Sequence, residues 1–245
     1  MTDGLDDTVL DGPRYIVVEG PIGVGKTSLA KRLAESFESE LVLEQAHENP
    51  FLERFYRKRR NAALPAQLFF LFQRARQMED IRQSDLFSPI RISDFMLEKD
   101  RLFAQLNLDG NEMSLYDQVY ASLDLDPPKP DLVVYLQAPP SVLLRRVAER
   151  GVSYEQFIDE NYLERLGDAY ASFFYEYDDA PLLIVNAAVI DPVHRDADYR
   201  ELLNAIVRIK RGRHFFNPAI ESIAYRLRNY ACISNYNSGT WIRRR

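Results

Sequence analysis

One cysteine, Cys232, is the whole thiol complement of this 245-residue chain, so no internal disulfide can form. No pairing of Cys with His at zinc-ligand spacing accompanies it, and a reducing cytoplasm is the expected setting. Long apolar runs are also lacking: no stretch approaches the ~18 residues that a membrane-spanning helix needs, so no membrane partner is expected. Positive charge is not in excess either, because 31 Lys and Arg against 37 Asp and Glu leave a formal charge of −6. A general binder of nucleic acid polymers needs clustered cations for the phosphate backbone, and that class is not expected here. The opening MTDGLDDTVLDGP has four aspartates and no basic segment, unlike a secretory or transit sequence; residues 1–13 read as a disordered acidic tail.

What the chain does have is a balance of 46% hydrophobic and 28% charged residues, which suits one globular core. Short runs rich in Val, Ile and Leu recur: RYIVVEG, LVLEQ, IRISDF, DLVVYLQ and LLIVN. Segments of helical spacing separate them, at Lys26–Phe37, Pro50–Arg60, Pro65–Ser84, from Glu98, from Glu112, Ser141–Arg150 and Tyr154–Tyr177. Nearly continuous apolar strands are buried on both faces, so the pattern predicts an α/β fold with a five-stranded parallel sheet flanked by helices. The stretch from residue 212 to 245 holds the only Trp, lacks clean periodicity, ends in three arginines, and reads as an extension of unknown role.

The strongest local signal is Gly20-Pro21-Ile22-Gly23-Val24-Gly25-Lys26-Thr27, followed by Ser28. It fits G-x-x-x-x-G-K-[ST], follows a predicted strand and opens a predicted helix, the context of a phosphate loop. Glycines let backbone N–H groups turn onto phosphates and the helix N-terminus adds a positive dipole. Lys26 can reach the β and γ oxygens, and the Thr27 hydroxyl can ligate Mg²⁺, so ATP and Mg²⁺ are the expected cofactors. No Asn-Lys-x-Asp guanine-reading motif is present and no strand ends in Asp-Glu, which turns attention from switch and mechanical NTPases to phosphotransfer onto a small acceptor.

Glu44 ends the second predicted strand, where strand C-termini face the ligand crevice of an open parallel sheet. A carboxylate there can take the proton of an attacking hydroxyl, though a solvated charge at a strand end has the same spacing. Gln67 and Arg74, two helical turns apart with Phe70 and Leu71 between them, share a face suited to reading the edge of a flat heterocycle. Amphipathic core packing would look the same.

Taken in series, EGPIGVGKTSLA, Glu44, NPFLERFY, LPAQLFFLFQRARQ, SDFMLEKDRLFA, LLRRVAERG and YLERL resemble the deoxynucleoside kinase family over about residues 14–211. The chain is most similar to its bacterial deoxyguanosine and deoxyadenosine kinases. The resemblance implies a P-loop NTPase-type three-layer fold with a helical lid over a kinase domain at 14–211, and phosphorylation of a deoxynucleoside 5′-hydroxyl in nucleotide salvage. It implies Glu44 as general base, Gln67 and Arg74 at the base, Phe103 stacked on the ring, and Tyr56 with Glu155 on the deoxyribose 3′-hydroxyl. Arg146 and Arg150, four apart in the lid segment, would face the transferring phosphoryl group alongside Lys26. The family's members are commonly homodimers.

Three positions depart from the family pattern. Ser93-Asp94-Phe95 stands where many members have an acidic-Arg-Ser triplet, so the arginine that meets the 5′-hydroxyl is missing and Asp94 becomes a candidate Mg²⁺ ligand with Thr27. Lys99 replaces an aspartate facing the base and is placed to supply the lost positive charge, as in the bacterial deoxyguanosine kinases, which points to a purine. Val152 replaces a third lid arginine. Two alternatives stay open at this point: a nucleoside monophosphate kinase of thymidylate-kinase type, and an ATP-binding protein without transfer chemistry.

Overall fold

The computed structural model describes residues 13–58, 62–83 and 90–217. The expected tail up to residue 12, the helix ends predicted at Arg60 and Ser84, Cys232 and the extension beyond residue 217 lie outside the described residues. The strands are β1 (Tyr15–Glu19), β2 (Glu40–Val42), β3 (Arg91–Ser93), β4 (Leu132–Gln137), β5 (Leu182–Asn186) and β6 (Arg213–Phe216). The helices are α1 (Lys26–Ser36), α2 (Leu52–Arg57), α3 (Ala63–Gln83), α4 (Glu98–Asn107), α5 (Gly110–Ser122), α6 (Pro140–Arg150), α7 (Glu160–Glu176) and α8 (Asp196–Arg208).

All strand pairs are parallel, in the order β2-β3-β1-β4-β5-β6. Every residue of β1 is buried, as are the first five of β4, and such strands need cover on both faces. One group of helices pairs α8 with α1, where the Tyr199 hydroxyl donates to Arg32 O at 2.9 Å and shares a hydrogen bond with the Ser36 hydroxyl at 2.6 Å. A second group packs α6 on α7, α7 on α4, and α4 and α5 on α3. The result is a three-layer α/β fold. Among the described residues no helix is long and apolar enough to cross a membrane.

The sheet has six strands where the sequence pattern suggests five. In β6 the residues Arg213, His214 and Phe215 are exposed and only Phe216 is buried, so this edge strand has no apolar run to betray it. It continues the sheet past residue 211 through the register Leu183↔His214 and Val185↔Phe216. Local capping moves other boundaries. The Asp109 carboxylate accepts the N–H of Asn111 at 2.9 Å and of Glu112 at 3.0 Å, while Glu112 accepts that of Asp109, so α5 starts at Gly110 rather than Glu112. Asp159 caps α7 by accepting from Tyr162 N–H at 2.7 Å, which splits the segment predicted as one helix over Tyr154–Tyr177 into a 3-10 turn at Glu155–Phe157 and α7 proper.

Strand β2 stops two residues short of Glu44, because the next backbone donor finds a side chain instead of a strand: the Asp94 carboxylate accepts the Glu44 N–H at 2.8 Å. β1, β2 and β3 therefore all deliver their carboxyl ends to one place, with Glu19, Glu44 and Asp94 at or just after them. In an open parallel sheet that edge is the ligand-binding edge.

Candidate active site

The loop from Gly20 to Gly25 joins β1 to α1, and two of its glycines are needed for close approach. A Cβ on Gly20 would lie 2.2 Å from Leu136 O in β4, and one on Gly23 would lie 2.8 Å from both Leu143 O and Val147 Cγ2 in α6. α1 has no side-chain cap and no acidic residue in its first turn, so its leading N–H groups are left for an anion. Lys26 Nζ donates to Pro21 O at 3.2 Å, and desolvation, together with the nearby Lys99 charge, lowers its pKa to about 8.

Across the cleft the Thr27 hydroxyl donates to Asp94 Oδ2, so two hard oxygen donors from α1 and the end of β3 stand side by side. Glu44 lies next to them. Its Oε1 accepts from Arg74 Nε at 2.9 Å and from Arg74 Nη2, and its Oε2 from Lys99 Nζ at 3.2 Å. Burial alone would raise this carboxyl, but the Arg74 and Lys99 cations outweigh it and hold the group at about 2. Arg74 is itself buried, lies 4.8 Å over the Phe70 ring and pairs also with the fully buried Asp100, whose other oxygen accepts from the Tyr116 hydroxyl at 2.6 Å.

Gln67 shares the buried face of α3 with Phe70 and Arg74, and its Oε1 has no hydrogen-bond partner among the described residues. A buried amide oxygen without a partner carries a desolvation cost that a ligand donor would remove. Phe103 stands nearby, edge-on to Tyr170 with ring centroids 6.1 Å apart. Tyr56 in α2 stacks on Tyr154 at 6.0 Å, and burial pushes its hydroxyl well above the ordinary tyrosine range. Arg150 holds Glu155 through Nε at 3.0 Å, and Arg146 donates to Val24 O at 3.2 Å and Ala187 O at 2.8 Å, tying α6 to the phosphate loop.

These groups line one cavity of about 680 Å³, within the range of small-molecule sites. It brings together Ile22 to Ser28, Glu44, Tyr56, Gln67, Arg74, Asp94, Lys99, Phe103, Arg146, Arg150 and Glu155. Gly20 and Pro21 are not in its wall. Its wall carries the phosphate-loop backbone with Lys26, Arg145, Arg146 and Arg150, and also Phe70, Phe103, Gln67 and Arg74. Backbone N–H groups and cations suit a polyphosphate, aromatic rings with an amide suit a flat heterocycle, and the same wall holds the Glu44 carboxylate.

The sequence pattern did not single out Asp100, Tyr170, Glu19 or the segment from Ala187 to His194 that walls the cavity beyond β5. Asp100 follows Lys99 on the buried face of α4, and adjacent charges among buried apolar neighbours were its available signal. Glu19 had one too, as an acid closing an otherwise apolar strand.

Comparison with known proteins gives this geometry a family. A model described as deoxynucleoside kinase matches residues 16–209. A deoxyguanosine kinase of Bacillus subtilis is 36% identical over 156 residues, 62% of this chain and 74% of that protein. A deoxyguanosine kinase of Lactobacillus johnsonii is 31% identical over 206 residues, 78% of this chain and 90% of that one. Among solved structures, a deoxyadenosine kinase from M. mycoides, with the products dCMP and a flexible dCDP bound, superimposes with a TM-score of 0.69. It is 26% identical, covering 78% of this chain and 98% of that chain.

Proposed function

The chain belongs to the deoxynucleoside kinase family, phosphotransferases that act on a deoxynucleoside hydroxyl, and from that premise we propose which residues carry the transfer and that the acceptor is a purine deoxynucleoside. The observation that carries the reading is Glu44: an ionised carboxylate at the carboxyl edge of the sheet, in the same cavity as Lys26, beside a slot whose Gln67 Oε1 awaits a donor.

In this reading the phosphate loop holds the donor ATP, with Lys26, Arg146 and Arg150 neutralising charge on the transferring group. The acceptor base lies between Gln67, Arg74 and Phe103, and Tyr56 and Glu155 hold the 3′-hydroxyl. The 5′-oxygen attacks the γ-phosphorus, the bond to the departing ADP oxygen breaks, and the hydroxyl proton passes to Glu44. A carboxyl held near 2 is a weak base. Phosphoryl transfer through a loose transition state releases the proton late, so position matters more than basicity. Lys99, at 3.2 Å from Glu44 Oε2, stands in for the family's missing arginine.

Thr27 and Asp94 would hold Mg²⁺, which supplies charge neutralisation at the phosphates when bound; their paired oxygens suit a cation that keeps several water and phosphate ligands. A cytoplasmic setting, where ATP is plentiful, completes the assignment. We also read the chain as a homodimer: Phe72 of α3 and Leu115 of α5 are large apolar side chains left 44% and 47% exposed, and sedimentation velocity checks the assembly.

A coupled ADP-release assay across the four deoxynucleosides, with guanosine, adenosine and thymidine monophosphate as controls, tests the function. Deoxyguanosine or deoxyadenosine should lead, and equal rates on deoxycytidine would remove the purine assignment. Glu44→Gln should lower turnover by ~10²-fold or more; a loss of only a few-fold would mean that another group takes the proton.

A further inference from the structure

Glu19, the last residue of β1, has no solvent exposure and is absent from the wall of the cavity, yet it is fully engaged. Its Oε2 accepts the Gly20 N–H at 2.8 Å and the Tyr170 hydroxyl at 2.9 Å. Its Oε1 accepts the Met96 N–H at 3.1 Å and faces Lys99 Nζ at 3.4 Å. Lys99 is 3% exposed and so sits between two carboxylates, Glu19 behind and Glu44 in front at 3.2 Å.

A buried carboxylate persists only when bonded and paired, and a long, flexible lysine holds one position only when something fixes its ammonium. Backbone capping does not account for Glu19. A neutral glutamine could accept one N–H on its oxygen but would present donors to the other, and it would leave the lysine with no counter-charge behind it. The four partners converge from the loop after β1, the segment after β3, α4 and α7, so the carboxylate is fixed by three parts of the fold and in turn fixes the fourth.

We propose that Glu19 is a positioning residue: braced by Tyr170, it anchors Lys99 so that the ammonium stands beside the reacting oxygen without saturating Glu44. The proposal rests on the reading of Glu44 as base and Lys99 as the replacement cation. Tyr170 also meets Phe103 edge-on, so the brace adjoins the slot assigned to the base.

The test is a double-mutant cycle of Glu19→Gln and Lys99→Met, reading turnover with deoxyguanosine, the KM for ATP and the melting temperature. Glu19→Gln should lower kcat by about tenfold or more in the parent, shift the ATP KM by less than about threefold, and cost less than about threefold in the Lys99→Met background. It should also raise the melting temperature of Lys99→Met, by removing a buried carboxylate that has lost its cation. An equal kcat loss in both backgrounds would make Glu19 a structural cap and overturn the inference while leaving the Lys99 assignment standing. Parent-like kcat in Lys99→Met would instead remove that assignment, and the inference with it. Should Glu19→Gln not fold, Tyr170→Phe is read in the same two backgrounds: a kcat loss of a few-fold confined to the parent supports the brace, and the same loss in both refutes it.

Discussion

Replacing Gly23 with alanine tests whether the phosphate loop and the arginine-bearing helix are fitted together through a missing side chain. Gly23 has φ +83, and its Cβ would stand 2.8 Å from Leu143 O and from Val147 Cγ2. Val147 could turn aside, but Leu143 O belongs to the α6 backbone, so the helix itself must shift. Left-handed backbone costs an L residue roughly 1–2 kcal/mol. Forcing a methyl into a packed site costs roughly 1–3 kcal/mol more, and the stiffer unfolded chain returns a fraction of that. A net loss of about 2–4 kcal/mol follows, or roughly 4–16 °C in melting temperature for a folded unit of this size. Gly151 is the control: its φ is +71 but a Cβ there meets nothing within 4 Å. Gly151→Ala should therefore cost about 1 kcal/mol, some 2–4 °C. The displaced helix carries Arg146, which bonds Val24 O and Ala187 O, so the ATP KM of Gly23→Ala should rise more than its nucleoside KM. Thermal unfolding followed by circular dichroism, with initial rates at varied ATP, reads both effects. Gly23→Ala melting within 2 °C of Gly151→Ala, with an unchanged ATP KM, would refute the contact as the reason for glycine.

Two further outcomes are expected. The Glu44 carboxyl lies at about 2 against an ordinary 4.5, so the folded state is favoured above pH 4.5 and this contribution is lost as pH falls toward 2. The urea-midpoint difference between parent and Glu44→Gln should shrink across that window; a pH-independent difference would contradict the pairing with Arg74 and Lys99. Asp94→Asn should raise the Mg²⁺ concentration needed for half-maximal rate by roughly 10- to 100-fold, and an unchanged magnesium titration would remove Asp94 from the metal's surroundings.

Much of this protein is readable from local pattern. The β1 run YIVVE is buried throughout, the glycine loop follows it, and α1 begins at Lys26 as the motif requires. Gln67, Phe70 and Arg74 share one helical face because their spacing leaves no alternative. Features set by side-chain capping or by a sheet edge were less readable: α5 starts where Asp109 closes a capping box, and β6 carries three exposed residues that read as loop. α8 repeats buried Tyr199, Leu202 and Ile206 at helical intervals, a signal present in the sequence beyond the helical segments read from its periodicity.

The sequence by itself determined the glycine-rich loop, the parallel α/β plan and the helical face that Gln67, Phe70 and Arg74 share. Those follow from local periodicity and from residue types that only certain backbones and ligands accept. Tertiary structure alone decided the partnerships: that Lys99 divides its charge between Glu19 and Glu44, that Arg74 bridges Glu44 and Asp100, and that Asp94 joins Thr27 to the backbone of Glu44. The physical reason is distance along the chain. Eighty residues separate Glu19 from Lys99, and their attraction becomes strong only when the folded sheet has removed the water between them.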